Sequence, residues 1–100
     1  MSTSPKGPAR GVELTDETTS DLLKRLRRVE GQVRGLHQMI ESGRDCREIV
    51  TQIAAANRAL EQVGFLLVAA GLTWCVEQPK KAAAAGYERE DVQRMFLKLA

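Results

Sequence analysis

The sequence is poor in the residues that build metal centres and disulfide frameworks. It contains two cysteines, Cys46 and Cys75, and one histidine, His37, among 100 residues. A structural zinc site takes four such ligands from one chain, and a disulfide scaffold takes several cysteine pairs. The composition therefore excludes both. In a reducing cytosol it favours reactive or metal-binding thiols over a permanent bridge.

Aromatic residues and long apolar runs are also scarce. Phe, Trp and Tyr make up 4% of the chain, so Leu, Val, Ile and Ala dominate the apolar residues and favour helices over a strand-rich sandwich. No apolar run follows a basic N-terminal segment, and no stretch of 18 apolar residues occurs, which argues against secretion and membrane spanning. We predict a cytoplasmic, all-α protein.

The spacing of apolar residues predicts two long helices. Residues 1–14, with Pro5, Gly7, Pro8 and Gly11, are predicted to be a flexible arm, and residues 15–100 a single domain. The first helix has an apolar seam that ends before Gly43. Its members are Leu22, Leu26, Val29, Val33, Leu36 and Ile40.

The second helix is expected to begin at Asp45, with Glu48 completing a capping box, and to end at Pro79. The state of the link 80–86 is undetermined, and residues 87–99 predict a short helix. The long helices form an antiparallel hairpin, which covers only one side of each seam. A two-fold dimer that forms a four-helix bundle is therefore expected.

The two cysteines lie 29 residues apart on the second helix. On an unbroken helix they share a face within roughly 20° but stand roughly 43 Å apart. If this helix packs antiparallel on its two-fold mate, near Leu60 and Glu61, Cys46 of one chain meets Cys75 of the other. A dimer would then contain two identical two-cysteine sites.

The surroundings of the cysteines predict different roles. Cys46 stands in the first turn of a helix beside Arg44 and Arg47, an environment that favours the nucleophilic thiolate. Cys75 has no such neighbours, so the two are interpreted as an attacking and a resolving thiol. The alternative is that both are small buried hydrophobic residues. His37 is expected at the surface, and Trp74 is expected to pack near the site.

Basic residues crowd the first helix, although the net charge is only +2. They are Lys24, Arg25, Arg27, Arg28 and Arg34, with Arg44 and Arg47 just beyond. Clustered Lys and Arg contacts with phosphates give salt-dependent DNA affinity. No helix-turn-helix, ribbon-helix-helix or zinc-finger pattern is present, so DNA would have to bind the surface of the bundle itself.

The run from Leu23 to Leu36, LKRLRRVEGQVRGL, followed by Cys46 and Gln52-Ile53, strongly resembles the CsoR/RcnR family of bacterial repressors. The likeness covers roughly residues 21–99. It implies a disc-shaped, all-helical dimer of dimers that binds operator DNA and releases it when an inducer reaches the inter-subunit cysteine site.

The resemblance also implies which residues contact DNA. The family's DNA-contacting basic residue of the first helix falls on Arg25, with Lys24, Arg28 and Arg34 as helpers. A second basic position used by some members falls near Gln62, which is neutral here.

The cysteine site decides which inducer the resemblance implies. Copper sensors of the family place a histidine four residues before the second cysteine, where this chain has Gly71. Nickel and cobalt sensors need several histidines, and formaldehyde sensors would leave Cys75 without a role. The two cysteines alone match the sulfur-sensing, CstR-like branch.

The main prediction is a repressor of sulfide-detoxification genes that senses persulfide or polysulfide through Cys46 and the partner's Cys75 and needs no metal or cofactor. The alternative is a Cu(I)-responsive repressor of copper-efflux genes that uses the same two thiolates, because Cu(I) is a soft ion. A DNA-independent Cu(I) buffer is a further possibility. An enzyme is disfavoured because no catalytic base, oxyanion site or substrate cleft can be named.

Overall fold

The computed structural model describes residues 12–100, which form four helices and no strand. Helix α1 spans Asp16–Glu41, α2 spans Cys46–Glu77, α3 spans Pro79–Ala84 and α4 spans Arg89–Leu99. α1 and α2 form the long hairpin, and α3 and α4 both pack on α2. The predicted all-α class is confirmed.

Both long helices begin with side-chain caps. The Thr15 hydroxyl accepts the backbone N–H of Thr18 at 3.1 Å, and the Asp45 carboxylate accepts that of Arg47 at 2.8 Å. These bonds satisfy donors that have no partner within the first helical turn. The capping box predicted at α2 does not form, because the Glu48 carboxylate accepts instead from the Arg44 guanidinium at 2.9 Å.

The helix ends also follow local chemistry. Gly43 has φ of 70° in the turn after α1, as the glycine signal predicts. α2 continues without a break to Glu77. The link that sequence left undetermined is mostly helix α3, and α4 begins two residues later than predicted. A capping box sets that start, in which the backbone N–H of Glu88 donates to Asp91 at 3.0 Å.

The core lies where α3 and α4 cover the end of α2. Trp74, Cys75, Ala82 and Val92 form its buried cluster. Val12 packs against this cluster, although it belongs to the stretch predicted to be a flexible arm. Residues 1–11 of that predicted arm lie outside the described residues.

The rest of the hairpin leaves much apolar surface exposed. On α1, Leu22 and Val29 are buried, whereas Leu26, Val33 and Ile40 are exposed. α2 is long and apolar enough to cross a bilayer by length and composition alone, a test that core helices of soluble proteins also pass. α1, α3 and α4 all pack on α2, and part of its apolar surface is still exposed.

Candidate sensor and nucleic-acid-binding sites

Cys46 is the first residue of α2, and its side chain is exposed. Both flanking arginines face carboxylates: Arg44 Nη2 lies 2.9 Å from Glu48, and Arg47 Nη1 lies 4.0 Å from Asp45. The local cluster therefore carries equal numbers of cations and anions. The helix N-terminus remains a favourable feature for a thiolate, but the carboxylates offset the arginine contribution that the sequence suggests.

Cys75 has the opposite environment. It is 7% exposed and belongs to the core cluster beneath α3 and α4. It also lines an open recess of about 470 Å³ together with Pro79, Ala82 and Tyr87, and Glu88 and Glu90 line the same recess. A ligand from outside the chain therefore has a route toward Cys75 through this recess.

The two thiols do not meet within one protomer. α2 is unbroken between them, so the separation of roughly 43 Å follows from the helical rise. Within residues 12–100, no three His, Cys, Asp or Glu side chains form a group that could hold a metal ion. Pairing of Cys46 with the Cys75 of a second copy stays a prediction.

Gly71, which the family resemblance matches to the copper sensors' histidine, is buried. A Cβ atom there would lie 3.3 Å from Val12 Cγ2 and 3.9 Å from Val92 Cγ1. These neighbours fill the space that a side chain would need. An imidazole at this position would therefore require Val12 to move.

The hairpin has two different flanks, which the Arg25–Gln62 contact identifies. Arg25 Nη1 donates to Gln62 Oε1 at 3.0 Å across α1 and α2. From helical geometry, Arg25 lies about 50° to one side of the buried Leu22 and Val29, while Leu26 and Val33 lie about 30–50° to the other side.

The residues of α2 are arranged in the same way on the two sides of the buried Ala56 and Val63. Gln62 lies on one side of them, and the exposed Ile53, Leu60 and Leu67 lie about 30–70° to the other. The exposed apolar rows of α1 and α2 therefore share one flank of the hairpin, which we call the apolar flank. Cys46 belongs to it, since Cys46, Ile53, Leu60 and Leu67 recur every seven residues.

Most of the predicted DNA-contacting residues form no ion pair with a carboxylate of the described residues. Lys24, Arg28 and Arg34 are exposed on the side of α1 away from Leu22 and Val29. None of them forms an ion pair with another residue of the part that the structure describes. Gly35 lies on this side of α1 as well, and a Cβ atom there would have no neighbour within 4 Å.

Arg25 differs from these residues because it is held in place. Besides its bond to Gln62, its Nε donates to Asp21 at 3.0 Å. The spacing of four between Asp21 and Arg25 could have been read from the sequence, whereas the Gln62 contact arises only from the packing of α1 on α2. Sequence reasoning also missed Arg58, an exposed residue of α2 that lines one recess with Gln62.

The remaining two predictions for this region are confirmed. His37 is exposed on α1. Trp74 is buried and packs edge-on against Tyr87, with ring centroids 5.9 Å apart. Its position next to Cys75 makes this residue, the single tryptophan of the chain, a natural reporter of events at the thiol.

Comparison with known proteins gives the family. The model of the metal-sensitive transcriptional repressor family matches residues 18–98. The copper-sensing transcriptional repressor CsoR of Bacillus subtilis is 36% identical over 80 residues, which cover 77% of this chain and 79% of CsoR.

Two further relatives match shorter segments. The copper-sensing transcriptional repressor RicR of Mycobacterium tuberculosis is 51% identical over 53 residues, 53% of this chain and 55% of RicR. The uncharacterised protein YrkD of Bacillus subtilis is 45% identical over 40 residues, 40% of this chain and 64% of YrkD. The chain thus spans only about half the length of RicR.

These relatives bear on the predicted inducer. Both of those with a named function are copper-sensing, which supports the Cu(I) alternative over the persulfide prediction. Membership of the sulfur-sensing branch has no support from these comparisons. At the level of the family the match is clear, and the chain belongs to the metal-sensitive transcriptional repressors of the CsoR/RcnR family.

Proposed function

We propose that this chain is a Cu(I)-responsive transcriptional repressor that acts in the cytoplasm as an oligomer. The observation that carries the proposal is the likeness to two copper-sensing repressors, joined to two cysteines at opposite ends of an unbroken helix. In this proposal the chain acts by binding and has no enzymatic activity.

Cys46 and the Cys75 of a second protomer would hold the ion. Thiolate sulfur is the ligand that the soft Cu(I) ion prefers, and a pair of thiolates can bind it without an imidazole. The exposed Cys46 lies on the apolar flank, which a second copy is expected to cover. The recess beside Cys75 provides the approach to the second thiol.

DNA would bind the opposite flank. Arg25 lies there, with Lys24 and Arg28 near it on the outer surface of α1, whereas Arg34 lies about 180° around the helix from Arg25. Each phosphate contact by Lys or Arg contributes salt-dependent affinity. Because the apolar and basic flanks are distinct, a dimer formed through the apolar flank would leave the Arg25 side free for operator DNA.

The two flanks share α2, which suggests how the sites communicate. An ion that joins two protomers constrains one α2 against the other, and α1 packs directly on α2. A change in that arrangement alters the relative positions of the basic surfaces in the oligomer. A coupling of about 1–3 kcal/mol between inducer and DNA binding is typical of such systems.

The test begins with in vitro selection of DNA duplexes by the reduced protein. Fluorescence anisotropy of a selected duplex is then followed while buffered Cu(I) is added, with Trp74 fluorescence as a second signal. We expect release of the duplex by Cu(I), and no release from the Cys46→Ser or Cys75→Ser variants. Failure to select any duplex, or release that is independent of both cysteines, would contradict the proposal.

A second candidate is a persulfide-responsive repressor, which the crowded Gly71 position favours because it leaves two thiols without an imidazole. The Cys46 thiolate would attack the outer sulfur of a persulfide RSSH to form a Cys46 persulfide and release RS⁻. The thiolate of a second protomer's Cys75 would then attack the Sγ atom of Cys46 and break its bond to the outer sulfur. This step would form the inter-chain disulfide and release HS⁻.

The same selected duplex distinguishes the two candidates. Release by an organic persulfide but not by Cu(I), with an inter-chain disulfide detected by mass spectrometry, would establish the sulfur mechanism. Release by Cu(I) without reaction with persulfide would eliminate it.

A further inference from the structure

Arg25 is the one arginine of α1 whose guanidinium is bonded to both long helices of the hairpin. Its Nε donates to Asp21 on α1, and its Nη1 donates to Gln62 on α2, both at 3.0 Å. A guanidinium has five N–H donors, so three of them, including both on Nη2, are free of these bonds. The two bonds orient those donors before any ligand arrives.

Gln62 is suited to this role because it is neutral. Its amide oxygen accepts from Arg25 without cancelling the positive charge, whereas a carboxylate at the same place would form an ion pair. Asp21 already faces Arg25 from α1. A second carboxylate on α2 would leave the guanidinium with little charge to offer a phosphate.

Arg58 lies one helical turn before Gln62 on α2, and both residues line a surface recess of about 470 Å³ with Ala59, Glu61 and Phe65. Arg58 is exposed and forms no ion pair with the residues that the structure describes. Arg25 and Arg58 are therefore both neighbours of Gln62, Arg25 through its hydrogen bond from α1 and Arg58 through the recess on α2. Glu61 is the carboxylate that opposes an anion in this recess.

We propose that Arg25 and Arg58 form a two-helix phosphate site for DNA, in which Arg58 contacts a phosphate directly and Gln62 is the positioning residue for Arg25. This inference rests on the proposed function, since it presumes that the Arg25 flank faces DNA. It adds a contact from α2 at Arg58, four residues before Gln62, which stands near the position that is basic in some members of the family and is neutral here. Phosphate recognition does not depend on base sequence, so any duplex serves as a probe.

The test of Arg58 uses a fluorescein-labelled, mixed-sequence duplex of about 30 base pairs, titrated by anisotropy at several salt concentrations. Arg58→Ala should weaken binding about 3–10-fold and reduce the slope of log K against log salt by about 0.9, the loss of one phosphate contact. Lys98→Ala removes an exposed lysine from α4 and should change the affinity less than about twofold. Glu61→Gln should strengthen binding.

The test of Gln62 uses the near-isosteric Gln62→Met variant in a double-mutant cycle with Arg25→Ala. Gln62→Met should weaken binding several-fold while the salt slope stays unchanged, and it should have no further effect once Arg25 is Ala. Circular dichroism and light scattering must show the same helicity and assembly in all variants, which excludes misfolding as the cause.

The outcomes separate this inference from the function on which it rests. If the wild-type protein binds no duplex, the proposed repressor function fails and the phosphate site fails with it. If the wild-type protein binds and Arg58→Ala behaves like Lys98→Ala, the direct contact is refuted while the repressor function stands. If the losses of DNA-binding free energy caused by Gln62→Met and Arg25→Ala simply add, the positioning role of Gln62 is refuted.

Discussion

Cys46 and Cys75 lie at opposite ends of one uninterrupted helix, the first exposed and the second buried beneath α3 and α4. No motion short of breaking α2 brings the two thiols together within a protomer. A site that uses both must therefore combine the exposed thiol of one copy with the buried thiol of another. The recess beside Cys75 then becomes the place where the second copy's α2 begins.

Mixing two inactive variants tests this arrangement. Cys46→Ala and Cys75→Ala chains are each expected to lose tight Cu(I) binding, because each removes one thiolate from every site. A mixed dimer of the two has one site with both cysteines and one with neither. Competition with a chromophoric Cu(I) chelator should then show about half the wild-type stoichiometry in purified mixed dimers.

The same experiment has two outcomes that would exclude a shared site. If either variant alone binds Cu(I) as tightly as the wild type, or if the mixed dimer binds none, the ion is not held by one cysteine from each chain.

Gly71 allows a test of the space beside the cysteine site. Gly71→His should destabilise the protein by about 1–3 kcal/mol, since its Cβ would lie 3.3 Å from Val12 Cγ2. In a Val12→Ala background the cost should fall, and the added imidazole should tighten Cu(I) binding at least about tenfold. Urea unfolding and chelator competition measure the two effects. An equal cost in both backgrounds would show that Val12 is not the obstacle.

Gly64 and Gly35 form a matched pair for helix packing. Gly35→Ala should raise the free energy of unfolding by about 0.5–1 kcal/mol, because alanine favours helix and nothing lies within 4 Å of its Cβ. Gly64→Ala should not show this gain, since its Cβ would lie 2.9 Å from Leu99 Cδ1 and displace that side chain of α4.

In a Leu99→Ala background, Gly64→Ala should raise the free energy of unfolding by as much as Gly35→Ala does in the wild type. Chemical denaturation of all four variants checks the cycle. Equal stabilisation at both glycines in the wild-type background would mean that α4 does not pack on α2 through Leu99.

The lowered pKa of Asp91 predicts how the stability of α4 depends on pH. The backbone N–H of Glu88 first, and then the Arg94 guanidinium, hold the pKa of Asp91 below its ordinary value of 3.8. An acid whose pKa is lowered in the folded state stabilises the protein at pH values above its ordinary pKa. This contribution is lost as the pH falls through the pKa of the folded state. Asp91→Asn keeps an acceptor for the cap but cannot carry the charge.

The measurement is the difference in thermal midpoint between wild type and Asp91→Asn from pH 6 to pH 3. We expect the difference to favour the wild type at pH 6 and to shrink below about pH 4. A difference that is constant over this range would show that the charge of Asp91 does not stabilise α4.

Part of the site could be predicted from sequence because it depends on local rules. Helical periodicity placed Cys46 and Cys75 on one face, and the Asp45 cap marked where α2 begins. Sequence reasoning missed that Glu48 and Asp45 offset the positive charges of Arg44 and Arg47. All four residues are nevertheless neighbours in the chain. Rotamer choice within one helical turn decides which charges pair, and spacing alone does not reveal it.

The sequence by itself determined the helical class, the start of the second long helix and the separation of the two thiols, since each depends on backbone geometry over a few residues or on the constant rise of a helix. Only the tertiary structure decided that Cys75 is buried while Cys46 is exposed, that Val12 fills the space beside Gly71, and that Gln62 holds Arg25. Those contacts join residues far apart in the chain, and side-chain packing between helices, which periodicity cannot specify, selects them.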